Sequence, residues 1–248
     1  MPYQFTVSPD FTPVHLSGWY IFNTWLQKQT DLAIHLEMYN DFQAQRDEIK
    51  NDNVDLIYAN PFDAAMLVRE KGFKPLVKSA GESDEAIIAV NADNHVEDVA
   101  HLESGIKLAV TDDPDVRMMG MIMLEPADLD ESNIEVIPCD TYVLVAKQLL
   151  RSEAEAGIFL AESFDELSKM IRKQLRVLVR SQISVIHHSL MIGPKLLDQR
   201  EKIHDTLAEM HNNEKGRGVL DSLGFEQWQT IDDEEMEFMI DLMDTLTM

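Results

Sequence analysis

The first 75 residues alternate short apolar strands with helices, and this alternation constrains the fold more than any other feature of the chain. Phe5 and Val7 alternate with polar residues, Ser8-Pro9-Asp10 breaks the pattern, and a helical spacing runs from about Leu16 to Gln29. A second strand at 33–39 precedes a polar helix at about 41–51. Val54 to Ala59 then reads as a compact strand closed by Asn60-Pro61, and a helix over 62–71 ends near Gly72. Strands joined through helices need crossover connections, so the chain predicts an α/β fold with a largely parallel sheet.

After Pro75 the character changes. Residues 76–80 and 85–90 read as extended segments with no helix between them, which suits a passage from one domain to another. A second α/β block follows: a helix starting near Val96-Glu97, a strand over 106–110 and a helix over 116–124, for which Asp113 supplies a cap and Pro114 the first helical position. The block continues with a strand at 134–137, a helix from Tyr142 to Arg151 and a strand at 156–160. Leu175 to Arg180, followed by 183–188, reads as a second long extended segment and a return crossing, and the remainder reads as helical. Within that remainder, Lys215-Gly216-Arg217-Gly218 reads as a turn. The last helix, from about Asp232 to Leu246, places Met236, Met239, Ile240, Met243 and Leu246 on one apolar stripe, opposite a solvated acidic face.

Charge narrows the function. The 21 Lys and Arg stand against 45 Asp and Glu, a formal net charge of −24, and no basic block offsets it. Such a surface repels phosphate backbones and anionic lipid headgroups, which makes nucleic acid and membrane surfaces poor partners. Cys139 is the only cysteine, so no intramolecular disulfide forms. No apolar run approaches the roughly 20 residues that span a bilayer. The N-terminus, Met1-Pro2-Tyr3-Gln4, carries no secretory leader as written, so the expectation is a cytoplasmic protein, or a periplasmic one if a leader has been removed.

Several segments together resemble a known family. They are Val7-Ser8-Pro9-Asp10, Gly18-Trp19, the run from Val54 to Pro61, the run from Leu108 to Pro114, and Gly216 to Phe225. Their order and spacing are similar to those of the phosphate, phosphite and phosphonate substrate-binding proteins of ABC transporters, a branch of the type II periplasmic-binding-protein fold. The resemblance implies two α/β lobes, each a mixed sheet flanked by helices, joined by two crossing strands and closing on a ligand held in the cleft. It places lobe 1 at 1–84 plus 184–248, lobe 2 at 85–183, and the hinge near 80–90 and 175–185. Carried over by position, its pocket falls on Ser8, Tyr58, Asn60 and Phe62 in lobe 1, on Asp113, Asp115, Arg117, Tyr142 and Glu162 in lobe 2, and on Ser181 or His187 at the return crossing.

One departure stands out. The helix start that forms a Ser/Thr anion clamp in the family reads Asp113-Pro114-Asp115-Val116-Arg117 here. Carboxylates in place of hydroxyls repel a phosphonate, with Arg117 a partial compensation, and favour a ligand bearing an amine, a guanidine or hydroxyls, on whose body Tyr58, Phe62 and Tyr142 can stack. Asp112, Asp113 and Asp115 lack the loop spacing of a calcium site and read first as helix-capping residues, so no metal and no cofactor is expected. His187 and His188 point to opposite faces if extended, so at most one meets a ligand. No nucleophile, zincin or P-loop pattern occurs.

The expected function is a non-catalytic small-molecule binder, a transporter receptor or an intracellular ligand sensor, with an ABC permease or a signalling protein as its further partner. The alternatives are a cytoplasmic enzyme on the same two-lobed fold, of the menaquinone- or thiamine-precursor type, and an interaction adaptor that holds no ligand.

Overall fold

The computed structural model describes residues 2–10 and 13–246, with Pro13 by its backbone alone, as two compact units. The first comprises 1–82 and 187–244, and the second 83–186 together with the last residues of the chain.

The first unit opens with β1 (Tyr3–Val7), α1 (Leu16–Thr30), β2 (Ile34–Glu37), α2 (Phe42–Lys50), β3 (Leu56–Ala59), α3 (Pro61–Arg69) and β4 (Lys74–Ser79). Local chemistry explains the helix starts. Asp41 accepts the Ala44 N–H at 2.8 Å at the head of α2, and Asn60 accepts the Asp63 N–H at 2.7 Å at the head of α3, where Pro61 occupies the first turn.

The second unit contains β5 (Ala86–Asn91), β6 (Lys107–Val110), α4 (Pro114–Leu124), β7 (Glu135–Pro138), α5 (Tyr142–Leu150), β8 (Ala156–Leu160), α6 (Ala161–Glu166), α7 (Lys169–Arg172) and β9 (Leu175–Arg180). Its five-stranded sheet runs β7-β6-β8-β5-β9, with β6 parallel to β7 and β8, and β5 antiparallel to β8 and β9. Adjacent residues of β8 point to opposite faces: a Cβ on Gly157 would meet Val145 of α5, and Ile158 lies against Gly120 of α4. The two helices therefore cover opposite sides of the sheet.

The chain returns to the first unit as β10 (Ser189–Ile192), α8 (Arg200–Ala208), α9 (Glu214–Leu223), β11 (Trp228–Thr230) and α10 (Asp233–Leu246). The six-stranded sheet is ordered β11-β4-β10-β3-β1-β2, with β1 parallel to β2 and β3, and β10 antiparallel to β3 and β4. Leu56, Tyr58, Leu190 and Ile192 join Phe5, Trp19 and Phe22 in the core on one face. Ile57, Ala59 and Met191 join Ile49, Leu67, Met236 and Ile240 on the other. Both faces carry a buried apolar core, and the sheets are mixed, as the resemblance implies; the largely parallel arrangement expected from the strand–helix alternation holds only within β3-β1-β2 and β7-β6-β8.

The structure differs from the sequence reading in four places. The extended stretches at 85–90 and 175–180 pair inside the second unit's sheet, leaving shorter connections on either side of residues 82–83 and 186–187. The C-terminal region holds two strands, β10 and β11, besides its helices. Residues 214–223, including the Gly216–Gly218 run, form α9, capped by Asn213, whose Oδ1 accepts the Gly216 N–H at 2.7 Å. The helix expected near Val96 is only a 3-10 turn at Val99–His101, because Asn94 captures the Val96 N–H at 2.9 Å in a competing local bond.

The acidic face of α10 is also more engaged than a solvated stripe. Glu235 pairs with Lys78, Asp233 with Lys74 at 2.7 Å and Arg200 at 3.3 Å, and Asp241 and Asp244 with Arg69. These cations come from neighbouring elements, so the face ties the helix down as well as meeting water. Among the described residues no helix is long and apolar enough to cross a membrane.

Candidate functional site

In the first unit the ends of β1, β3 and β10 bring together Ser8, Asp10, Tyr58, Asn60 and His188. The Ser8 N–H donates to the Tyr58 carbonyl at 2.8 Å, which continues the parallel ladder, and the Ser8 hydroxyl accepts from Asn60 Nδ2 at 3.2 Å. Asn60 therefore serves twice, as α3 cap through Oδ1 and as a donor through its amide nitrogen. Tyr58 is packed between Trp19, with ring centroids 4.7 Å apart, and His188, stacked at 5.4 Å with an interplanar angle of 24°.

Asp10 is not among the sequence candidates, and His188 is there only as the alternative to His187. His188 Nε2 lies 3.0 Å from Asp10 Oδ2, and the Asp10 side chain is 2% exposed. Burial is the largest influence on Asp10 and opposes its charge. The adjacent His188, hydrogen bonds from His188 and Ser8, and its own backbone outweigh burial and hold the carboxyl below the usual carboxylate range. The neighbouring His187 is turned into the fold, with Nδ1 3.1 Å from Ser189 Oγ and Nε2 3.9 Å from Glu235 Oε1.

Phe62 is exposed at the start of α3 and is backed by a guanidinium. Arg46 lies 5.1 Å from its ring and 5.3 Å from that of Phe42, and grips Asp63 with a two-pronged contact at 2.6 and 3.2 Å. Burial pushes the Asp63 carboxyl above the usual range, against the pull of Arg46 and Asn60.

In the second unit Asp113 caps α4, accepting the Val116 N–H at 3.3 Å, and its other oxygen accepts the Tyr142 hydroxyl at 2.7 Å. Tyr142 sits at the head of α5 and stacks on Phe159. Asp115 is fully buried in the first turn of α4, and Asp112 is exposed. Arg117 instead reaches Glu131 at 2.7 Å, on the flank of α4, where a groove of about 840 Å³ is also lined by Met118, Met121 and Ile122. Glu162 is exposed in the first turn of α6.

Ser181 is taken up by a buried carboxylate. Its hydroxyl donates to Glu85 Oε2 and accepts the Ala86 N–H at 2.9 Å. Glu85 further accepts the Ile183 N–H at 3.1 Å, the Ser184 N–H at 2.7 Å and the Ser83 hydroxyl at 3.3 Å. One side chain thus ties the segment entering the second unit to the segment leaving it. Cys139, its thiol pushed up by burial and by Asp140, is no activated nucleophile.

The geometry can be set beside known proteins. A binding protein component of an ABC phosphonate transporter from Pseudomonas aeruginosa superposes with a TM-score of 0.83 at 16% identity, covering 99% of this chain and 87% of that one. PhnD1 from Prochlorococcus marinus, solved in complex with methylphosphonate, gives 0.83 at 10% identity, over 99% and 98% of the two chains. The periplasmic aliphatic sulphonate-binding protein SsuA from Escherichia coli gives 0.69 at 11%, over 99% and 91%. These likenesses establish a two-lobed periplasmic-binding-protein fold. No curated protein sequence matches the chain. Residues 5–236 match the family described as ABC transporter, phosphonate, periplasmic substrate-binding protein, so the chain belongs to that family, one of binding proteins rather than enzymes.

Proposed function

We propose that this protein is a substrate receptor of the ABC-transporter type whose ligand carries ammonium, guanidinium or hydroxyl groups instead of relying on a bare oxyanion. One observation carries this reading: the N-terminus of α4 is filled by the chain's own carboxylates. Asp113 takes the Val116 N–H and the Tyr142 hydroxyl, and Asp115 lies buried one residue inside the helix. The positive end of the helix dipole is thereby compensated from within, and a phosphonate arriving there would meet negative charge. Membership of the family supports an ABC permease as the partner to which the ligand is handed.

A thermal-shift series tests the reading, because a ligand that binds only the native state adds about 2.7 kcal/mol at a hundredfold excess over Kd. Agmatine, spermidine and polyols are expected to give saturable shifts where phosphate and methylphosphonate do not. A shift by the oxyanions alone would keep the receptor role and overturn the ligand class. Silence from every compound would favour the ligand-free adaptor.

A further inference from the structure

We infer that Asp10, held by His188, is a ligand-binding residue that accepts a hydrogen bond from an ammonium, guanidinium or hydroxyl group of the ligand. The inference rests on the receptor reading above and assigns a residue and a chemistry to its first unit. The Asp10 side chain is 2% exposed, and its two oxygens are unequally served. Oδ2 faces His188 Nε2 at 3.0 Å, whereas Oδ1 is buried with no hydrogen-bond partner among the described residues. A buried carboxylate oxygen left without a donor is costly, and a fold keeps such a group where something else supplies the donor.

The surroundings fit a ligand better than a structural partner. Asn60 donates to Ser8, Ser8 lies against Asp10, and Tyr58 stacks beneath His188, so the carboxylate is fixed from two sides and backed by an aromatic floor. Fixing an acceptor in advance lowers the ordering cost of binding. An anionic ligand is disfavoured at this spot, since Asp10 can offer it only an acceptor. An N–H or O–H donor completes the carboxylate. Either bond is charge-assisted because the acceptor is ionised, and a cationic donor adds direct attraction between opposite charges.

Isothermal titration of the full-length protein with agmatine and with myo-inositol separates the two donor types, with methylphosphonate as the oxyanion control. Wild type is expected to bind at least one of the two donors. D10N is expected to weaken that binding roughly tenfold or more, the scale of one charge-assisted hydrogen bond, with an unchanged circular-dichroism spectrum. Should D10N fail to fold, H188Q carries the test: releasing Oδ2 disturbs the carboxylate, and affinity for the same probe falls. Unchanged affinity in the folded D10N variant, or in H188Q, overturns the role of Asp10 and leaves the receptor reading intact. Binding of methylphosphonate alone overturns the role of Asp10 and the ligand class while the receptor role stands, and binding of none of the three overturns the receptor reading as well.

Discussion

Replacing Glu85 by alanine removes, in one step, the acceptor for two backbone N–H groups and two hydroxyls, at Ile183, Ser184, Ser181 and Ser83. Ser184 also sits at a φ of +62°, a conformation that disfavours a residue with a side chain, so its N–H bond at 2.7 Å holds a strained turn. Hydrogen bonds to a charged acceptor contribute about 1.5–3 kcal/mol each. Ser184 is exposed and Ile183 half-buried, so water replaces part of what is lost, while the desolvation cost of burying the carboxylate is recovered. A net local loss of about 2–4 kcal/mol is expected. Hydrogen–deuterium exchange read by mass spectrometry on peptides spanning 181–186 should then accelerate roughly 30- to 700-fold. Amides in the β5–β8 ladder should change far less, and E85Q, which keeps one acceptor oxygen, should fall between. Equal acceleration across the second unit, or none at 183–184, would refute the idea that this side chain binds the entering and leaving segments together.

Three further outcomes follow from the geometry. G18A gains about 1 kcal/mol of helix propensity but places a Cβ 2.2 Å from the Ser222 carbonyl oxygen, so α1 and α9 must separate, and a net loss of about 1–3 kcal/mol should lower Tm by several degrees; a stabilised variant would contradict the packing. Y142F deletes the 2.7 Å donor to Asp113 and should cost about 1.5–3 kcal/mol in urea unfolding of the second unit, with no loss expected if that contact is dispensable. In acid, Asp10 and Asp63 act with opposite signs. The folded pKa of Asp10 is lowered, so its stabilisation is present above the unfolded value of 3.8 and disappears as pH falls through the folded value; D10N should flatten that limb of the stability–pH curve. The folded pKa of Asp63 is raised, so its contribution is full below 3.8 and declines as pH rises through the folded value; D63N should remove that decline from denaturation curves.

What the sequence disclosed was what neighbouring residues decide among themselves. Asn60-Pro61 and Asp113-Pro114 announce helix starts because a cap and its target lie three positions apart, and both starts are where they were expected. The segments around Gly18 and Gly216 to Phe225 carried the resemblance, and α1 and α9, which contain them, pack together. β10 was missed because Ser189 to Ile192 is buried on both faces, which erases the alternation that betrays a half-exposed strand. Asp10 and His188 are 178 positions apart, and Glu85 reaches Ile183 and Ser184 across 98 and 99. Pairings at that range leave no periodic trace, so a buried carboxylate read one residue at a time looks like any surface acid. His187 drew attention and His188 makes the Asp10 pair, a choice of strand phase that only the neighbouring β-strands fix.

The strand order of the first unit also sets a sequence of events on the ribosome. β10 lies between β3 and β4, yet it is made only after the whole of 83–186 has emerged. At roughly 5–20 residues per second that interval lasts on the order of ten seconds. Meanwhile the nascent chain can pair β2, β1 and β3, but the flank of β3 and both flanks of β4 stay open as sticky templates. The inserted unit has all five of its strands in one continuous stretch and can mature during the wait. A chain truncated at residue 186 should therefore hold a finished second unit and an unfinished first one, whose sheet closes only once Ser189 to Ile192 and then Trp228 to Thr230 have been made.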